Sequence, residues 1–95
     1  MNKIPYEERA QIYAMALDKF GSVNQLVVAI EEMSEIQKEI CKAIRGEANL
    51  LHLAEEVADA SIMLEQLRLL FGINGEVCAV MDAKVERLRQ KIEKS

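Results

Sequence analysis

Asn49 to Phe71 reads NLLHLAEEVADASIMLEQLRLLF. Within it Leu50, Leu53, Val57, Ala60, Leu64, Leu67 and Phe71 follow one another at steps of three and four, the spacing that places side chains on one face of an α-helix. The run predicts a long helix, capped at its start by Asn49 and left at Gly72. The same stretch carries Glu56 and Asp59, one turn apart on a shared face. At about 100° per residue this pair falls beside Met63, Leu67 and Leu70, on the flank of the apolar stripe. A surface helix turns its charges away from its apolar side. Something else in the chain therefore has to offset these two.

Working outward, three more helices are expected. Before the central stretch, Pro5 suits a first helical turn, and Tyr6, Ala10, Tyr13, Leu17 and Phe20 alternate steps of four and three up to Gly21. Ser22 with Gln25 has the form of a capping box, after which Leu26, Ile30, Met33, Ile40 and Ile44 mark a core face as far as Arg45, with Gly46 as the stop. After it, Gly72-Ile73-Asn74-Gly75 is turn chemistry. From Glu76 the series Val77, Met81, Val85, Leu88, Ile92 predicts a closing helix. No alternation of β-branched and polar residues competes, and there is neither a tandem repeat nor a low-complexity segment. The expected architecture is an all-α antiparallel four-helix bundle, residues 1–95 forming one domain. Helices this long in a chain this short leave apolar faces for a second subunit, so a homodimer or homotetramer is expected.

Composition excludes several classes. The chain has 95 residues with a net charge of −4, four aromatic residues and no Trp, which argues against a base-stacking platform and against broad contact with a nucleic-acid backbone. No apolar run approaches the roughly 18 residues of a membrane span, and the opening MNKIPYEERAQ has no apolar signal core, so a cytoplasmic protein is expected. Cys41 and Cys78 lack CxxC spacing and are expected as buried, reduced thiols rather than a disulfide or a zinc site.

The second helix contains IEEMSEIQKEI, in which Glu32 and Glu35 repeat the spacing of Glu56 and Asp59, and Glu39 continues their face. If the turn near Gly46 folds this helix back on the next, the two acidic pairs meet across the interface. At 5 Å and an effective dielectric near 20, each like-charge contact costs about 3 kcal/mol. A divalent cation offsets that cost, and all-oxygen ligation suits Mg²⁺ or Mn²⁺.

Glu-Glu-Met-Ser-Glu (31–35) and Glu-Glu-Val-Ala-Asp (55–59), in this order and with a basic closing helix containing Lys84-Val-Glu-Arg-Leu, resemble the paired acidic elements of the MazG-like, all-α nucleoside triphosphate pyrophosphohydrolases. The resemblance spans most of the chain. It implies that Glu32, Glu35, Glu56 and Asp59 ligate Mg²⁺ or Mn²⁺. It also implies that a nucleoside triphosphate is cleaved between its α and β phosphates to a monophosphate and pyrophosphate, in the service of nucleotide-pool clearance. Residues that read the base in better-defined subfamilies have no clear match here, so base preference is not implied.

In the closing helix Lys84 falls on the apolar stripe between Met81 and Leu88, where an apolar residue is expected. One reading is a side chain whose stem packs while its ammonium reaches water. The other, implied by the resemblance, is contact with a substrate phosphate, with Arg87 one turn on as a second candidate. Glu35 is the candidate general base and Lys84 the group that stabilises charge on the phosphates. Two other classes remain as alternatives: a non-enzymatic helical oligomerisation module whose acidic faces are solvated, and a di-iron carboxylate bundle. The second needs a Glu-x-x-His element, whereas His52 precedes Glu55 and Glu56. His52 itself is expected at a helix N-terminus or facing solvent.

Overall fold

In the computed structural model, which describes residues 3–95, four helices follow one another: α1 (Tyr6–Phe20), α2 (Ser22–Ile44), α3 (Leu50–Leu70) and α4 (Asn74–Glu93). No strand occurs among the described residues. Two of the three turns are closed by the same glycine device. At the end of α2, Gly46 adopts φ 75°, Glu47 N–H donates to the Lys42 carbonyl at 2.8 Å and Gly46 N–H to the Ala43 carbonyl at 3.0 Å. At the end of α3, Gly72 (φ 64°) is followed by Ile73 N–H donating to the Arg68 carbonyl at 2.9 Å, while Gly72 N–H donates to Leu69 at 3.1 Å. Both are Schellman turns, which satisfy helix-end carbonyls and need a residue that tolerates positive φ. Asn49 caps α3 as expected, its Oδ1 accepting from the His52 N–H at 3.0 Å.

Two helix starts differ from the sequence reading. The α1–α2 connection is the single residue Gly21, so Ser22 is already the first residue of α2 and no side chain caps the helix. The Ser22–Gln25 capping box therefore does not form. The Schellman turn at Gly72 is complete by Ile73, and α4 starts at Asn74, two residues before Glu76.

α2 and α3 form an antiparallel hairpin about the Gly46 turn: Glu39 meets His52 near the turn, and Gln25 and Ala29 lie with Met63 and Gln66 at the far end. The covered positions step by three and four on both helices: Gln25, Ala29, Glu32, Ile36 and Glu39 on α2, and Leu53, Glu56, Ala60, Met63, Leu67 and Leu70 on α3. α1 packs on both α3 and α2. Its Tyr13 is buried and donates to Glu65, which also pairs with Arg9 at 3.2 Å. Burial first, and then the neighbouring Glu65 carboxylate, push the Tyr13 phenol up to about 12.

The face α3 buries is rotated from the one its spacing suggested. Leu53, Ala60 and Leu67 are shared by both, but Leu50, Val57, Leu64 and Phe71 are exposed while Glu56, Met63 and Gln66 turn inward. On α2, Ile30, Ile40 and Ile44 are likewise exposed. Cys41 and Cys78 are exposed as well, contrary to the expectation of buried thiols: Cys41 lines an open surface of α2 alone, and Cys78 lines an open cleft with Tyr6, Ala10 and Tyr13 of α1.

α4 packs on α3 alone. Only Asn74 and Val77 are partly covered, and Val80, Met81, Val85, Leu88 and Ile92 are exposed. The consequence is an open shape. The radius of gyration is 16.1 Å, against about 12 Å for a compact chain of this length. The accessible surface is 7588 Å², about 2,000 Å² more than the ~5,500 Å² typical of a folded monomer of this mass.

The rotated face is directly testable. Met63→Ala is expected to lower stability by about 2–4 kcal/mol, whereas Leu64→Ala, which neighbours it in sequence but is exposed, costs less than about 1 kcal/mol within one chain. Urea unfolding of the two variants at low protein concentration measures the difference.

Candidate metal centre

The antiparallel register of α2 and α3 brings acids from the two helices together midway along the hairpin. Glu32, Glu56 and Asp59 each offer a carboxylate oxygen, and these oxygens lie within 4.8 Å of one another. Glu32 and Asp59 also line a shallow cleft of about 250 Å³ with Val28, Ile62 and Met63. Glu32 and Glu56 are both partly covered and Asp59 is exposed; the Glu56 side chain is 13% exposed. Its Oε2 is buried and has no hydrogen-bond partner.

The electrostatics follow from this crowding. Glu32 is held above its ordinary value near 4.5, by partial burial first and then by the charges of Asp59, Glu56, Glu35 and Glu31. Among the described residues no Lys or Arg nitrogen lies within 4.0 Å of the three carboxylates. The donor set fits a hard divalent ion: it is all oxygen, comes from two rigid helices, carries excess negative charge, and includes a buried oxygen with nothing to bond.

Of the four expected ligands, the structure brings three together. The carboxylate of the fourth, Glu35, pairs with Lys38 at 3.4 Å on the half-exposed side of α2. It is close enough to raise Glu32, but it lies outside the triplet. Lys84 and Arg87 are exposed on α4, and among the described residues neither reaches a carboxylate within 4.0 Å. They stand apart from the acids because α4 touches α3 and neither of the other helices.

Two residues beside the centre had only minor roles in the sequence reading. Glu39 is the most buried charged group among the described residues, 3% exposed. His52 does begin α3, as expected, but it does not face solvent alone: its Nε2 is 3.2 Å from Glu39 Oε1 and 3.8 Å from Glu56 Oε1. The signal was present in the spacing, since Glu39 is two turns beyond Glu32 and His52 one turn before Glu56. What the spacing lacked was the register that joins them.

Comparison of the chain with protein-family models, curated proteins and solved structures returned no match in any of the three.

Raised Glu32 gives a pH signature in metal-free protein. A carboxyl whose folded pKa is raised contributes stability that is fully present below its unfolded value and lost as pH rises through the folded one. Glu32→Gln, neutral throughout, is expected to melt at a higher temperature than the parent at pH 7 in chelator. The gap should close as the pH is lowered to about 4.5, near the unfolded value. Adding Mn²⁺ should reverse the order, because only the parent keeps the full ligand set. Thermal melts across pH with and without metal check all three.

Proposed function

We propose that this chain is a divalent-metal-dependent nucleoside triphosphate pyrophosphohydrolase of the MazG-like, all-α kind, releasing a nucleoside monophosphate and pyrophosphate. The observation that carries the reading is the meeting of Glu32, Glu56 and Asp59 from two consecutive helices, with an oxygen of Glu56 buried and unpaired. The resemblance of residues 31–35 and 55–59 to the family's acidic elements supplies the reaction class.

Glu32, Glu56 and Asp59 would hold Mg²⁺ or Mn²⁺, with Glu35 at the rim. Bound there, the ion would neutralise the triphosphate and lower the pKa of a water placed for attack. Glu35, half exposed and tied only to the mobile end of Lys38, is the carboxylate best placed to accept the proton of that water. The water oxygen bonds to phosphorus as the bridging P–O bond between the α and β phosphates breaks, and pyrophosphate leaves. Lys84 and Arg87 carry positive charge for the departing phosphates. They meet the acids only if α4 is held against the cleft.

The cleft beside the triplet, about 250 Å³, is smaller than a typical ligand pocket of roughly 300–1,000 Å³. A nucleotide therefore needs further walls, and the surplus surface described above supplies a source for them. The working form is proposed to be a homodimer or homotetramer. A surplus near 2,000 Å² per chain corresponds to the burial of an obligate interface rather than a transient one.

The alternative, a helical oligomerisation module without catalysis, also draws on that surplus surface. The two readings part on metal chemistry. Parent protein is expected to release pyrophosphate from one or more members of a panel of canonical and modified NTPs and dNTPs, with Mg²⁺ or Mn²⁺ required. Glu56→Ala should reduce the rate about a hundredfold or more. Absence of pyrophosphate from every nucleotide, together with absence of divalent binding, would leave the oligomerisation module as the better account. Independently, light scattering after size exclusion at micromolar concentration is expected to give twice or four times the chain mass of 10.7 kDa. A monodisperse monomer would overturn the oligomeric part of the reading.

A further inference from the structure

Two turns along α2 from Glu32 of the acidic triplet lies Glu39, more deeply covered than any member of it at 3% exposure. A carboxylate so covered destabilises the fold unless partners offset its charge. Two groups reach its Oε1. Lys42 Nζ donates to it at 3.3 Å from the solvent side, and His52 Nε2 lies 3.2 Å away on the side of α3. The turn carrying that imidazole is itself fixed, because the His52 N–H is held by the Asn49 cap at 3.0 Å. The ring's Nδ1 is 4.0 Å from Glu55 Oε2, and its Nε2 is 3.8 Å from Glu56 Oε1. The imidazole thus stands between the buried acid of α2 and a largely covered acid of the metal centre. It stands on the Oε1 side of Glu56, whose Oε2 is the oxygen left without a partner.

We propose that Glu39 and His52 are a positioning pair for Glu56. Glu39 anchors the ring from α2, the ring limits the rotation of the Glu56 carboxylate from its Oε1 side, and Oε2 is kept available for the cation. Neither residue touches substrate. The proposal rests on the metal-centre reading. Groups that hold a ligand from behind commonly change metal affinity by about 10–100-fold when removed, since they fix the ligand's orientation before the ion arrives. The arrangement also gives buried Glu39 a role that core packing alone does not, because an apolar residue of similar volume would fill its place at no cost in desolvated charge.

The test uses the full chain and Mn²⁺ alone, with affinity read by titration calorimetry, for the parent, His52→Ala, His52→Gln, Glu39→Gln and the double variant Glu39→Gln/His52→Ala. His52→Ala and Glu39→Gln are each expected to weaken Mn²⁺ binding by about 10–100-fold. The double variant should be little weaker than the worse single one, because both act through the same ring and their effects do not add. His52→Gln places an amide nitrogen near the position of Nε2 and is expected to recover most of the loss, which a residue that merely fills space would not show. The Mn²⁺ concentration giving half-maximal pyrophosphate release should rise by the same factors. Parent-like Mn²⁺ affinity in His52→Ala and His52→Gln, or losses that simply add in the double variant, would overturn the pairing while leaving the metal centre intact. A parent that binds no Mn²⁺ would overturn both the centre and the pair. If the parent binds Mn²⁺ but releases no pyrophosphate, only the reaction reading falls, and the affinities of the variants still decide the pair.

Discussion

Like charges brought together on the packed face of a helical hairpin are the constraint to which the other features respond. α2 and α3 bury a common face, and three of its positions, Glu32, Glu39 and Glu56, are glutamates. An ordinary hairpin would fill such positions with Leu or Ile and gain about 1.5–3 kcal/mol from each. Here Glu39 finds Lys42 and His52, Glu32 is pushed toward its neutral form, and Glu56 keeps a buried oxygen unpaired. The chain therefore gives up stability where its two longest helices meet, and a cation placed among the oxygens of Glu32 and Glu56 would offset the part of that cost left unpaired. Stability surrendered locally at rigid, well-packed positions is a common physical mark of a functional site.

The open shape follows from the same distribution of residues. With acids on the hairpin face, much of the apolar content is displaced to other sides of the helices: Ile30, Ile40 and Ile44 on α2, Leu50, Val57, Leu64 and Phe71 on α3, and nearly the whole stripe of α4. One chain cannot cover these faces, because α4 is tethered by a three-residue turn after α3 and packs on that helix alone. The accessible surface far exceeds that of a compact monomer as a result. Exposed stripes at helical spacing on three helices form the surface that a second copy of a small helical chain is suited to cover.

Most helix ends were legible in the sequence because their chemistry is local. Gly46 and Gly72 close Schellman turns, Asn49 caps α3, and Gly21 parts α1 from α2, all readable without knowing what packs where. The Ser22 cap failed for an equally local reason: the one-residue turn puts Gly21, which has no side chain, at the capping position and Ser22 inside the helix. The face of α3 was not legible. Leu50, Leu51, Leu53, Val57, Ile62, Met63, Leu64, Leu67, Leu69 and Leu70 surround the helix, so steps of three and four select more than one stripe, and the contacts with α1 and α2 decide among them. The acid pairs were legible as spacing and their meeting as a consequence of one turn. Glu39 with His52 was not, since it depends on the register of the hairpin to within a residue. Lys84 was singled out as a charge on an apolar stripe, and that stripe proves to be exposed in a single chain.

Whether the acids serve a site or merely tolerate their position can be argued from where they lie. A module selected only to assemble would gain from apolar residues on its internal hairpin face and from charges on its outer faces, which limit unwanted association. This chain departs from that arrangement on α2 and α3: Glu32, Glu39 and Glu56 are covered among apolar residues, while Ile30, Ile40, Leu50 and Leu64 are exposed. The proposed partner copy would account for the outward apolar residues but not for the inward acids, because an interface elsewhere on the helix does nothing for a charge already covered within one chain. Burial of Glu39 against His52, one turn from an unpaired Glu56 oxygen, gives the acids an order along the hairpin that solvated charges would not require. Assembly and metal binding are thus not competing explanations for the same residues. In the proposed reading they would account for opposite faces of the same helices.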